Sequence, residues 1–142
     1  MTSRKKDLKE IPLETRNYDA MVNLLEQIYP GRGFELMKDN TIEDLLELAD
    51  KYQVEQVFTN CKAYIEMMME YQPPINKTLL YLKIVEQYGH CKQLHSLRER
   101  LVKSASLIPS NRIKRSRHYS SLPPTAQRDV FFRRLQELEK IT

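Results

Sequence analysis

The chain has 142 residues, of which 41% are hydrophobic and 30% charged, with only 3 glycines. This length suits one domain with a modest core, and the composition is that of a helical protein rather than a fibrous or disordered one. No apolar run approaches the roughly 18 residues of a membrane span, and the basic opening MTSRKKDLKE leads into no apolar segment of the secretory type. The net charge of +4 is unevenly spread: residues 1–10 contribute +2, residues 11–75 contribute −7 and residues 76–142 contribute +9. An acidic front and a basic back can attract each other or present two different faces to partners.

The first predicted element is a short edge strand at Ile11–Leu13, where Pro12 cannot donate to a ladder. Nothing else in the chain offers it a pairing strand, so the fold class is all-α apart from this segment. A helix is predicted over NYDAMVNLLEQIYPG, with Asn17 as its cap and Met21, Leu24, Leu25 and Ile28 at helical spacing. Pro30-Gly31 stops it, and a loop follows in which Phe34 and Leu36 fold back on the core.

Asn40 and Thr41 supply the next caps, with Glu43 and Asp44 in capping-box register. Ile42, Leu45, Leu46, Ala49 and Tyr52 form one apolar stripe. A continuing helix would next bury residues 55 and 56, which are Glu55 and Gln56; the apolar positions are instead Val54 and Val57. The phase break predicts two helices joined by a tight turn near Gln53, the second running through Phe58, Cys61 and Ile65. The triple methionine Met67–Met69 reads as flexible core filling.

Pro73-Pro74 ends that helix and Asn76 caps the next, which carries Leu79, Leu80, Leu82, Ile84 and Val85 to Tyr88-Gly89. A further helix carries Cys91, Leu94, Leu101, Val102 and Ala105. Setting Tyr88 on Tyr52 places Ile84 on Leu48 and Val85 on Ala49. With one inserted residue, Cys91 falls on Val54 and Leu94 on Val57, a weak two-fold repeat of a helix–turn–helix unit. Residues 107–124 read as a basic, solvated connector. A last helix starts near Pro124-Thr125, with Val130, Phe131, Leu135 and Leu138 on its apolar side. The total is about six helices.

Three motifs carry a resemblance. Ile28-Tyr29-Pro30-Gly31, Leu48-Ala49-Asp50-Lys51-Tyr52 and the later Cys61 resemble, in order and spacing, the second half of a BTB/POZ domain. The remainder is similar to the helical BACK-type extension of MATH–BTB proteins, and HYSSLPPTAQRDVFFRRLQEL to its closing segment. The resemblance implies a partial BTB/POZ fold, divided into a basic tail (1–10), a BTB-like part (11–72) and a BACK-like part (73–142). The hairpin and Asp-Gly and Ala-His-Lys motifs that open a complete domain do not precede Ile11. The chain is therefore expected to begin partway through the fold, as a truncated relative without the usual BTB homodimer. Complete relatives are substrate adaptors that dock on a cullin ubiquitin-ligase scaffold. By resemblance the docking surface uses the helix ending at Tyr29 and the Cys61 helix, with Tyr29, Asp50 and Tyr64 as partner-binding residues. Leu8-Lys9-Glu10 has the letters of the adaptors' insertion motif but abuts the strand too closely to serve as one.

The expected function is thus protein interaction, with a cullin scaffold or another BTB protein as partner. Met21, Leu24, Leu25 and Ile28 are expected to form an exposed apolar face that seeks a partner, unless the C-terminal helices repack over it. Arg112, Lys114, Arg115 and Arg117 form a basic patch; a nucleic-acid-binding or regulatory protein using it, or a non-functional BTB fragment, are the alternatives. Nucleic acid is not the expected partner, because only Tyr119 is interleaved with the charges. Ser116, Ser120 and Ser121 beside them are candidate phosphorylation sites. His90, Cys91 and His95 fall short of the four ligands zinc prefers, so no metal is expected, and neither is a cofactor. No triad, phosphate loop or acid pair is visible, so an enzyme is not expected. Cys61 and Cys91 read as reduced thiols of an intracellular protein, cytoplasmic or nuclear.

Overall fold

The computed structural model of the chain describes residues 15–28, 37–71 and 74–141. The predicted strand at Ile11–Leu13 and the loop residues Phe34 and Leu36 lie outside them. Among the described residues the protein is all-α, without a strand: α1 (Thr15–Ile28), α2 (Ile42–Lys51), α3 (Glu55–Glu70), α4 (Ile75–Gln87), a 3-10 turn (Lys92–Leu94), α5 (His95–Ser106), α6 (Ser110–Ile113), α7 (Arg117–Ser121) and α8 (Pro124–Ile141). The two helices beyond the expected six are α6 and α7, within the segment read as a solvated connector. No helix among the described residues is long and apolar enough to cross a membrane. The chain packs as two units, residues 1–60 and 61–142.

In the first unit α1 packs on α2. α2 forms because Ile42, Leu45, Leu46 and Ala49 lie on one face and are fully buried. Glu43 and Asp44 in its first turn and Lys51 in its last complement the helix dipole. The expected cap at Thr41 is not made by its side chain, which instead donates to the Lys38 carbonyl at 3.3 Å. α1 starts at Thr15, so Asn17 stands inside the helix rather than at its cap.

The joint between α2 and α3 falls where the apolar phase breaks. The Gln53 N–H donates to the Asp50 carbonyl at 3.3 Å and the Val54 N–H reaches back to Ala49 at 2.8 Å. These are the two bonds of a Schellman closure, whose hallmark is a left-handed residue between helix and exit. That residue is Gln53, at φ 56°. Glycine is the usual occupant, since a Cβ there costs energy. Gln53→Gly is therefore expected to stabilise the protein by about 0.5–1 kcal/mol, the relief of strain exceeding the entropy glycine adds to the unfolded chain. A denaturant midpoint that rises with unchanged slope would show it.

The second joint shares its ends with the first but not its middle. Tyr88 N–H donates to Ile84 as Tyr52 does to Leu48, and Leu94 N–H donates to Cys91 as Val57 does to Val54. These are the pairs that the sequence repeat superimposes. The inserted residue lets the Cys91 N–H close on Tyr88 at 2.9 Å, and the chain then passes through the 3-10 turn without a left-handed residue.

In the second unit α4 packs against α5 and α7, and α5 against α8. α4 is buried on nearly every side, from Thr78 through Leu82 and again at Ile84 and Val85, which suits a central helix with a weak polar face. It starts after Pro74, so Asn76 lies within it and is not its cap. α5 contributes Leu97 and Leu101, both sealed.

An ionic tie joins three of these helices. Arg98 on α5 donates through Nε to Glu86 on α4 and through Nη2 to Asp129 on α8, the latter at 2.7 Å. The hydrogen bond from Arg98 holds the Asp129 carboxyl below the usual carboxylate range. α8 is rotated accordingly. Its inward side is Ala126 and Val130, continued by half-buried Arg133, Arg134 and Glu137. Arg134 Nε donates to the Ser106 carbonyl at 3.0 Å, and Arg133 pairs with Glu137 at 3.3 Å. The expected apolar side is mostly outside: Val130 is buried, but Phe131, Leu135 and Leu138 are exposed, together with Phe132. Long charged side chains cover the core with their stems while their heads find partners, so hydropathy alone mislays this face.

Candidate protein-interaction surface

Among the described residues of the first unit, α1 presents the longest exposed apolar row. Tyr18, Val22 and Leu25 recur at i, i+4 and i+7 and are 60%, 37% and 54% exposed. The opposite row, Ala20, Leu24 and Gln27, is buried. The expected open face therefore needs correction. Leu24 is inside, Met21 is half-buried, and Leu25 alone of the named residues stands exposed; the Ile28 side chain lies outside the described residues. Tyr18 and Val22 complete the exposed row in their place.

The helix turns this way because of a polar residue. Gln27 is 1% exposed, and its Oε1 accepts from Asn60 Nδ2 at 2.9 Å. Asn60 Oδ1 accepts in turn from Gln56 Nε2 at 2.9 Å. This relay of amides holds the end of α1 to the start of α3. Burying a side-chain amide is tolerated only with such partners. Among the described residues the Gln27 Nε2 donor has none. Reversing all three amides leaves an unpaired acceptor at Gln27 instead, so either orientation ends in an unsatisfied atom there.

The other expected partner-binding residues separate. Asp50 is exposed near the end of α2, beside Lys51, whose ammonium lies 5.6 Å from the centroid of the half-exposed Tyr52 ring. Tyr29 lies outside the described residues. Tyr64 is buried in the second unit, its ring edge-on to Tyr81 at 6.3 Å between centroids. It is a core residue rather than a contact for partners, because the edge-to-face pair removes it from solvent. Cys61 is sealed too: burial, with a smaller contribution from neighbouring Cys91, pushes its thiol up to about 12, so it is no nucleophile at neutral pH. Both cysteines are free.

The basic patch is ordered. Arg112, Lys114, Arg115 and Arg117 are all exposed, while Ile113, Ser116 and His118 between them are buried. The alternation anchors the segment to the second unit.

Comparison with curated proteins and with solved structures returns no match. Residues 1–68 match the family model of the BTB/POZ domain. The row Tyr18–Val22–Leu25 and the amide relay behind it thus lie within a BTB/POZ match, and that domain is a protein–protein interaction module.

Proposed function

We propose that this chain is a protein-interaction module that docks on a protein partner through the Tyr18–Val22–Leu25 row of α1, and that the partner is the helical N-terminal region of a cullin scaffold. The observation that supports this is the exposed apolar row itself, carried on the α1 helix within the BTB/POZ match. Burying those side chains is worth about 1–2 kcal/mol each, after allowing for the surface already covered. Tyrosine is among the residue types that most often anchor protein interfaces.

The cullin assignment rests on the likeness of the Ile28–Gly31 and Leu48–Tyr52 motifs to adaptor domains. In this reading residues 73–142 are a BACK-like extension that supports the docking unit, and the protein works inside the cell. It acts without a cofactor. The test is retention of the purified chain on an immobilised cullin N-terminal region. Leu25→Asp is expected to weaken retention at least 10-fold, since it puts a charge in place of a large apolar member of the row, whereas Leu135→Asp on α8 is expected to leave it unchanged. A folded wild-type chain that is not retained, or a Leu25→Asp chain retained as well as wild type, would refute the reading.

A further inference from the structure

The basic ridge on α6 and α7 carries an inference separate from the docking row of α1. Several arginines on the helices of the second unit are matched: Arg98 holds two carboxylates, Arg133 pairs with Glu137, and Arg100 lies 3.9 Å from Glu66. Arg112, Lys114, Arg115 and Arg117 differ. All four are exposed within six residues, and among the described residues none has an acidic partner.

The segment that holds them is fixed in place. Ile113, Ser116 and His118 are buried beneath the ridge. Ser116 Oγ caps α7 by accepting the His118 N–H at 3.3 Å. From α8, Gln127 Nε2 donates to both the Tyr119 and Leu122 carbonyls at 3.0 Å. The four charges are therefore held together on short folded turns, with their mutual repulsion unrelieved by any acidic partner among the described residues. Ordering like charges in this way costs stability, and a polyanion removes that cost.

We propose that this ridge binds the phosphate backbone of duplex nucleic acid without reading its sequence. Two features select this partner. The connector 107–124 exposes one large apolar side chain, Leu107, and residues 109–121, which carry the ridge, expose none. A protein interface needs an apolar centre and a membrane surface needs a side chain to insert, so recognition here rests on charge alone. Tyr119 is half-buried, which leaves no exposed ring to stack on the bases of a single strand. Three of the four cations are arginines, whose planar fork matches phosphate oxygens in pairs. Contacts of this kind position a protein on a duplex but do not discriminate bases.

Fluorescence anisotropy of the full chain with a labelled 20-base-pair duplex tests the proposal. With up to four phosphate contacts, log K is expected to fall with log salt at a slope of about −3.6, or roughly 100-fold between 50 and 200 mM salt. Each single Arg112→Gln, Lys114→Gln, Arg115→Gln or Arg117→Gln change is expected to reduce the slope by about 0.9. The four changes together are expected to abolish binding, with the circular dichroism spectrum retained and the denaturant midpoint no lower than wild type, because all four side chains are exposed and their mutual repulsion is removed. The proposal is overturned if the wild-type chain does not bind at 50 mM salt, or if the fourfold variant binds as tightly. It is also overturned if polyglutamate competes as well as a phosphate polymer of equal charge, which would indicate an acidic protein. Retention on phosphatidylserine vesicles without duplex binding would assign the ridge to a lipid surface and overturn it equally.

Discussion

Leu101→Ala is expected to lower the stability of the second unit by about 3 kcal/mol, within the range of core leucine truncations. Leu101 is 0% exposed on α5, the helix that packs against both α4 and α8. Removing its branched end loses the transfer energy of three carbons and leaves a void that the packed helices close only in part. Urea denaturation should show a lower midpoint with an unchanged slope. Leu135→Ala on the outward side of α8 provides the contrast. That leucine is 39% exposed, and its truncation is expected to change stability by no more than about 0.5 kcal/mol. Equal losses at the two positions would mean that α8 is rotated the other way.

The second large effect is expected at Arg98. Arg98→Met keeps an unbranched apolar stem but deprives Glu86 and Asp129 of their shared partner. Glu86 is 12% exposed and Asp129 30%, so the carboxylates are left poorly hydrated. Removing one member of a buried pair costs about 3–5 kcal/mol. Arg98 is itself 36% exposed, and solvent screening brings the expected loss to about 2 kcal/mol. The pH dependence has a definite sign. Because the Arg98 hydrogen bond holds the Asp129 carboxyl low, the unfolded chain binds its proton first as pH falls. The contribution of Asp129 is therefore present above about pH 4 and is lost as pH drops below that, through its folded value. Stability of the wild type should decline over this acid window more steeply than that of Arg98→Met. Parallel curves would show that Asp129 is not held by Arg98.

Part of this architecture was legible in the sequence. The joint at Gln53 could be read because helical phase is a geometric property of the chain: Glu55 and Gln56 occupy the positions that a continuing helix would bury. The repeat was legible for the same reason, down to the matching donors at Tyr52 and Tyr88. The orientation of α1 and α8 was not. In α1 the buried row contains Ala20 and Gln27, a small residue and a polar one, neither of which gives a hydropathy signal. In α8 the inward row is continued by Arg133 and Arg134, whose heads find acceptors on Glu137 and Ser106. Partners distant in sequence decide both cases, and periodicity carries no information about them. Arg98 was missed likewise, since Asp129 lies 31 positions away. The connector was misread because its buried residues, Ile113, Ser116 and His118, are isolated between cations and form no run.

The amide relay behind α1 has a consequence for how this interior can vary. Replacing Gln27 alone by methionine strands the Asn60 amide, and replacing Asn60 alone deprives Gln27 of the bond it has. Each single change moves the defect to the neighbour, at a cost of about 1–3 kcal/mol. Converting both positions to well-fitted aliphatic residues removes it altogether, because Gln56 is exposed and water can replace its bond to Asn60. Positions 27 and 60 are therefore coupled: in a double-mutant cycle their combined loss should fall well short of the sum, and drift at either one is constrained to proceed in step with the other.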